Sequence, residues 1–115
     1  MDNQNLQLDR CFYALADPTR MAVIDRLCDD GSASVGELAQ PFDMALPSFM
    51  KHLRVLETCG LIETTKIGRV RTCRIRPDTM KRAADWLTDR RALWERRLDR
   101  LDAYLTSNRT RKKGN

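Results

Sequence analysis

The 115-residue chain has a single histidine, His52. One imidazole cannot build a transition-metal site, which needs several donors converging on one ion. The four cysteines, Cys11, Cys28, Cys59 and Cys73, include no close Cys-x-x-Cys pair. They fall on four different expected elements, so unreactive, semi-buried thiols are the expected state, and neither metal nor cofactor is expected. No apolar run is long enough to span a bilayer. The start, Met-Asp-Asn-Gln-Asn-Leu, has no basic segment followed by an apolar one. The expectation is a cytoplasmic protein with no membrane partner. No Ser/His/Asp or Cys/His arrangement, phosphate-cradling glycine loop or carboxylate pair is evident, so no catalytic residue is expected.

What is present is charge, unevenly placed. The net charge is +5. Residues 1–42 carry three Lys/Arg against seven Asp/Glu, residues 43–76 seven against three, and residues 77–115 eleven against six. An acidic body with a basic middle and end suits a polyanion lying along one side of the molecule. The length predicts one domain over residues 1–107, with 108–115 as a basic, disordered tail.

Leu6 to Ala16 reads as a first helix, with Leu8, Phe12 and Leu15 on one face and Cys11 beside them. Asp17-Pro18 reads as an N-cap with proline at the first helical position, opening a second helix that runs to Gly31. Ser34-Val35-Gly36-Glu37 has the form of a capping box and opens a short third helix that stops near Pro41. After a brief turn, Ala45 to Gly60 carries Leu46, Phe49, Leu53 and Leu56 at helical spacing. Ser48 and Lys51 then point the opposite way, with His52 and Arg54 on the flanks, and no acid appears until Glu57. Two short helices around a tight turn, the second with a polar and basic front, are the outline of a helix-turn-helix whose second helix enters a DNA major groove.

Beyond Gly60 the hydrophobic period changes to that of strands. Leu61 to Ile67 and Val70 to Ile75 flank Gly68-Arg69, a hairpin signal. Lys66, Arg69 and Arg71 stand around its turn, where a wing can reach phosphates or the minor groove. Pro77 to Leu105 predicts a helix roughly 40 Å long at about 1.5 Å per residue. Its Met80, Ala84, Leu87, Arg91, Trp94, Leu98, Leu101 and Leu105 alternate steps of four and three, close to a heptad seam. So small a domain cannot cover that stripe, and a second copy of the chain is the expected cover. Trp86 and Trp94 are expected in a dimer core, with Cys11 also at the interface and Arg91 setting register or pairing across it.

These segments resemble the arsenical-repressor (ArsR/SmtB) family of bacterial winged-helix regulators. The residues that carry the resemblance are Ala14-Leu15-Ala16-Asp17-Pro18-Thr19-Arg20, Lys51-His52-Leu53-Arg54-Val55-Leu56, Gly60-Leu61-Ile62 and Gly68-Arg69. The ending Trp94-Glu95-Arg96-Arg97-Leu98-Asp99-Arg100-Leu101 is similar to one subgroup, whose members repress transcription as homodimers and lack the metal sites of the founding members. The chain departs where those sites would be. Its third-helix segment, Ser34 to Gln40, has no thiol, and its last helix has no histidine. It also has Ala45-Leu46-Pro47 where the subgroup often has Ser-Gln-Pro, and Met50 where a small hydroxyl residue is common.

The resulting expectation is a mainly α fold with a β-hairpin wing, a winged helix-turn-helix dimerising through its long C-terminal helix. Its expected partners are double-stranded DNA and itself. Ser48, Lys51, His52, Arg54, Lys66, Arg69 and Arg71 are the expected DNA contacts. Cys11, Leu87, Arg91, Trp94, Leu98, Leu101 and Leu105 are the expected dimer contacts. No inducer is legible. The same residues leave room for a thiol-based metalloid or redox sensor, or for an adaptor that has lost DNA binding, although an adaptor gives no reason for the wing cations to cluster.

Overall fold

The computed structural model describes residues 3–113, with side-chain surroundings for residues 8–107. Capping chemistry places the helices. α1 spans Asn3–Leu15, and α2, Pro18–Asp30, starts where the Asp17 carboxylate accepts the backbone N–H groups of Thr19 and Arg20 at 2.9 and 3.1 Å. It ends at Gly31, whose N–H returns to the Leu27 carbonyl. α3, Val35–Ala39, opens with the expected capping box between Ser34 and Glu37. α4, Leu46–Thr58, follows, and α5 runs over Pro77–Lys113, about 55 Å at about 1.5 Å per residue.

Three strands complete the fold. β1 is Ser32–Ser34, β2 is Ile62–Ile67 and β3 is Val70–Ile75, in the antiparallel order β1-β3-β2. Ile67 opposes Val70 across a two-residue turn. Gly68 has φ of 62° while Arg69 stays negative, which fits the glycine-first hairpin turn that matches strand twist. The sequence reading missed β1, which pairs Ser32, Ala33 and Ser34 with Arg74, Cys73 and Thr72.

Residues Met1–Ala83 form one compact unit and Ala84–Asn115 a second. In the first, Ala14, Val23, Leu27, Leu38, Phe49, Leu53, Leu56, Leu61 and Cys73 make one buried core. Gly60 follows α4 with φ of 84°, a left-handed conformation that favours glycine. The second unit is the continuing α5. Side chains of the 108–115 tail, expected to be disordered, lie outside the described residues, as do residues 114–115 altogether. No helix among the described residues is long and apolar enough to cross a membrane.

Candidate nucleic-acid interface

α4 is held from behind. Phe49, Leu53 and Leu56 are buried, as their spacing predicts. Leu46 was expected with them but is 56% exposed, because it sits in the first turn, beyond the edge of the core. Phe42, from the preceding turn, packs on Phe49 instead, with ring centroids 5.4 Å apart.

A polar anchor fixes the same helix from the side. Arg20 is almost fully buried. Its Nε donates to the Ala14 carbonyl at 2.6 Å, and its guanidinium carbon lies 5.6 Å from the centre of the Tyr13 ring. Its Nη1 is 3.0 Å from His52 Nδ1. A guanidinium only donates, so Nδ1 accepts and the ring proton sits on Nε2. Asp17 Oδ2 is farther from the same nitrogen, at 3.7 Å, beyond hydrogen-bonding range. The backbone N–H bond from Arg20, together with the nearby Arg20 charge, holds the Asp17 carboxyl below the usual carboxylate range. His52, expected among the DNA contacts, is therefore first of all a brace between α4 and the α1–α2 junction. The signal for it was present: Arg20 lies on the stripe of Val23, Ile24 and Leu27, and an arginine on an apolar stripe needs partners.

The front of α4 is open. Ser48, Lys51 and Arg54 are exposed. Ala45 occupies the cap position and offers no side-chain hydrogen bond, so the first-turn amides lack the acceptor that Asp17 gives α2. Arg54 and Thr58 form a ridge between two clefts, one shared with α1 and one shared with the hairpin.

The hairpin adds its cations to that same front. Strand side chains alternate between faces, so Thr64 and Lys66 share one face of β2 while Cys73 and Arg71 share one face of β3. Thr64 opposes Cys73 and Lys66 opposes Arg71. Cys73 is buried, and the Thr64 hydroxyl donates to Glu57 of α4 at 3.1 Å. The core-facing side of the hairpin thus runs past the end of the core, and there it carries Lys66 and Arg71, with Arg69 exposed in the turn.

The residues expected at a dimer interface divide. Leu87, Trp94, Leu98 and Leu101 are 52, 61, 51 and 51% exposed on α5, and Leu105 is exposed with them. Arg91 pairs with Glu95 on its own helix at 2.9 Å. Cys11 is a correction. It is buried in the core of its own chain, where its thiol donates to the Cys59 carbonyl at 3.6 Å. Burial and the neighbouring Cys59 push the Cys11 thiol up to about 11, and burial with the Glu57 charge pushes Cys73 to about 11. No cluster of three or more His, Cys, Asp or Glu side chains among the described residues could hold a metal ion.

Known proteins resemble this chain in sequence and fold. Residues 15–65 match the family described as "Helix-turn-helix domain". The chain is 37% identical over 90 residues to the HTH-type transcriptional regulator Rv2034 of Mycobacterium tuberculosis, covering 78% of this chain and 80% of that protein. It is 25% identical over 80 residues to the transcriptional repressor SdpR of Bacillus subtilis, covering 70% and 88%. The crystal structure of the ArsR family transcriptional regulator RHA00566 superposes with a TM-score of 0.73 at 54% identity, over 83% of this chain and 97% of that one. The homodimeric winged helix-turn-helix DNA-binding domain of Mb0332 from Mycobacterium bovis shares the fold, with a TM-score of 0.61 at 24% identity over 81% and 91%.

Proposed function

The chain belongs to the ArsR family of winged helix-turn-helix transcription regulators, DNA-binding proteins rather than enzymes, and from that premise we propose that it is a cytoplasmic repressor that binds a near-palindromic operator as a homodimer. One observation carries the reading. Arg54 of α4 and Arg71 of the hairpin line one cleft, and Lys51, Lys66 and Arg69 are exposed on the same two elements. Ser48, Lys51 and Arg54 read or flank the major groove. Lys66, Arg69 and Arg71 engage the adjoining backbone and minor groove. His52, braced by Arg20, contacts DNA only through what remains of its ring edge.

The half-exposed stripe of α5 supports a dimer, and Mb0332 is itself homodimeric. Two copies would present their α4 helices about 34–36 Å apart, one turn of duplex. SdpR, a relative, is a repressor. DNA binding by this chain is expected to be indifferent to zinc, since no thiol or histidine stands where the founding members hold metal.

Titration on the promoter beside its own gene, at several salt concentrations, tests the reading. Arg69→Ala should weaken binding to every sequence and flatten the salt dependence by about one unit of slope. Ser48→Ala should change which bases are preferred. Unchanged affinity, slope and preference in folded variants would overturn the assignment, and a large reversible response to zinc would overturn the metal-free part of it.

A further inference from the structure

The cleft between α1 and α4 has a composition that DNA contact alone does not explain. It is an open cleft of about 490 Å³, a volume inside the range of about 300–1,000 Å³ usual for small-molecule sites. Val55 and the Tyr13 ring give it an apolar wall, with Thr58 beside them, and Arg10, Lys51 and Arg54 stand around it. No acid is among its described lining residues. Some exposed arginines of the chain do find acids, Arg26 with Asp30 at 2.8 Å and Arg91 with Glu95 at 2.9 Å. None of the three cleft cations has a carboxylate partner among the described residues. Lys51 and Arg54 are accounted for by phosphates and base edges. Arg10 is not, because it comes from α1, outside both the helix-turn-helix and the wing. An apolar wall also gives a DNA backbone nothing to bind.

We propose that this cleft binds a small amphipathic carboxylate, and that its occupation releases DNA. The carboxylate head accepts charge-assisted hydrogen bonds from Arg10, Lys51 and Arg54. The apolar body lies on Val55 and the face of Tyr13. Lys51 and Arg54 are shared between this ligand and the duplex, so the two compete. The binding step stands on the cleft alone, whereas the release step rests on the reading of α4 as the DNA-facing helix.

The probe is 2-naphthoate, with 2-naphthylmethylammonium as the charge-reversed control and inorganic phosphate as the anion without an apolar body. Each is titrated into the full chain and followed by backbone amide shifts. Naphthoate should bind saturably at sub-millimolar concentration and shift Tyr13, Val55 and Thr58, while the two controls should not. Arg10→Gln should weaken naphthoate about tenfold without altering DNA affinity in its absence, and Val55→Phe, which fills the cleft, should also weaken naphthoate. Saturating naphthoate should lower operator affinity at least tenfold in the wild type, and the dose required should rise in Arg10→Gln. Equal binding of the cationic control, shifts centred on Trp86 to Leu98 instead, or no effect of either substitution would overturn the site. Binding in the cleft with no loss of operator affinity would overturn the release step. A protein that bound naphthoate in the cleft but no DNA at all would instead defeat the DNA-binding proposal and leave the site standing.

Discussion

α4 and α5 both carry an apolar stripe at helical spacing, and they end in opposite states. On α4, Phe49, Leu53 and Leu56 are sealed by the chain's own α1, α2 and sheet. On α5, Leu87, Trp94, Leu98 and Leu101 remain about half exposed. The pattern of residues is nearly the same, so periodicity alone says that a face wants cover and not where the cover comes from. What separates the two is the count of neighbours. α4 lies among helices and a sheet of its own unit, whereas the exposed stripe of α5 belongs to a second unit, Ala84–Asn115, that is one helix. One stripe secures the fold, and on the proposed reading the other secures the assembly.

The sharpest test of that contrast is inside α4. Phe49→Ala should cost roughly 3–5 kcal/mol, a large share of the stability of so small a unit. Denaturant unfolding measures it, and a loss under about 1 kcal/mol would mean that the stripe is not the keystone its burial implies. On α5, Leu98→Ala should instead leave the secondary structure of dilute protein intact and weaken dimerisation by about 2–3 kcal/mol, roughly 30- to 150-fold in Kd. Sedimentation equilibrium decides, and a wild-type chain that stays monomeric at micromolar concentration would remove the distinction between a fold stripe and an assembly stripe.

A smaller effect is expected at the capped start of α2. Asp17→Ala should cost about 0.5–2 kcal/mol through the lost cap. The folded carboxyl titrates below its ordinary value, so the folded state binds fewer protons than the unfolded one. Its contribution is present above the ordinary value and is lost as pH falls through the lowered one. The wild-type protein should therefore lose stability below about pH 4, and the Asp17→Ala variant should lose less over the same interval. Parallel acid profiles would show that the cap is not the group responsible. The mildest expectation concerns the thiols. Cys28 is exposed while Cys11, Cys59 and Cys73 are buried, so one thiol of four should react quickly with a disulfide reagent at neutral pH. Rapid modification of two or more in the native protein would mean that the core opens more readily than its packing suggests.

The elements that announce themselves locally were legible. Asp17-Pro18, the Ser34–Glu37 box and the Gly68-Arg69 turn each act through their own few residues, and the structure places all three as expected. What the sequence concealed depends on partners far away. β1 is three residues long and becomes a strand only because β3, some forty positions later, lies beside it. Cys11 has the same standing on a helical wheel whether its side of α1 meets a second chain or its own core, and only the position of Cys59 settles which. Leu46 fits the α4 stripe by spacing, but the core ends before reaching it. For the site, exposure of Ser48, Lys51, Arg54 and the hairpin cations followed from pattern. The bracing of His52 by Arg20 did not, since nothing local links positions 20 and 52.

Arg20 holds the Ala14 carbonyl with one nitrogen and His52 with another. The tilt of α4 is thus fixed by residues that do not stand on its front. Aim and vocabulary are separate in this molecule. On the proposed reading, exchange of Ser48, Lys51 or Arg54 should redefine the operator without re-pointing the helix, whereas Arg20→Ala should blur recognition of every operator alike. If the front of α4 reads DNA as proposed, a lineage carrying this brace could drift from one target site to another by single front-face steps, each tried on a helix that is already correctly pointed.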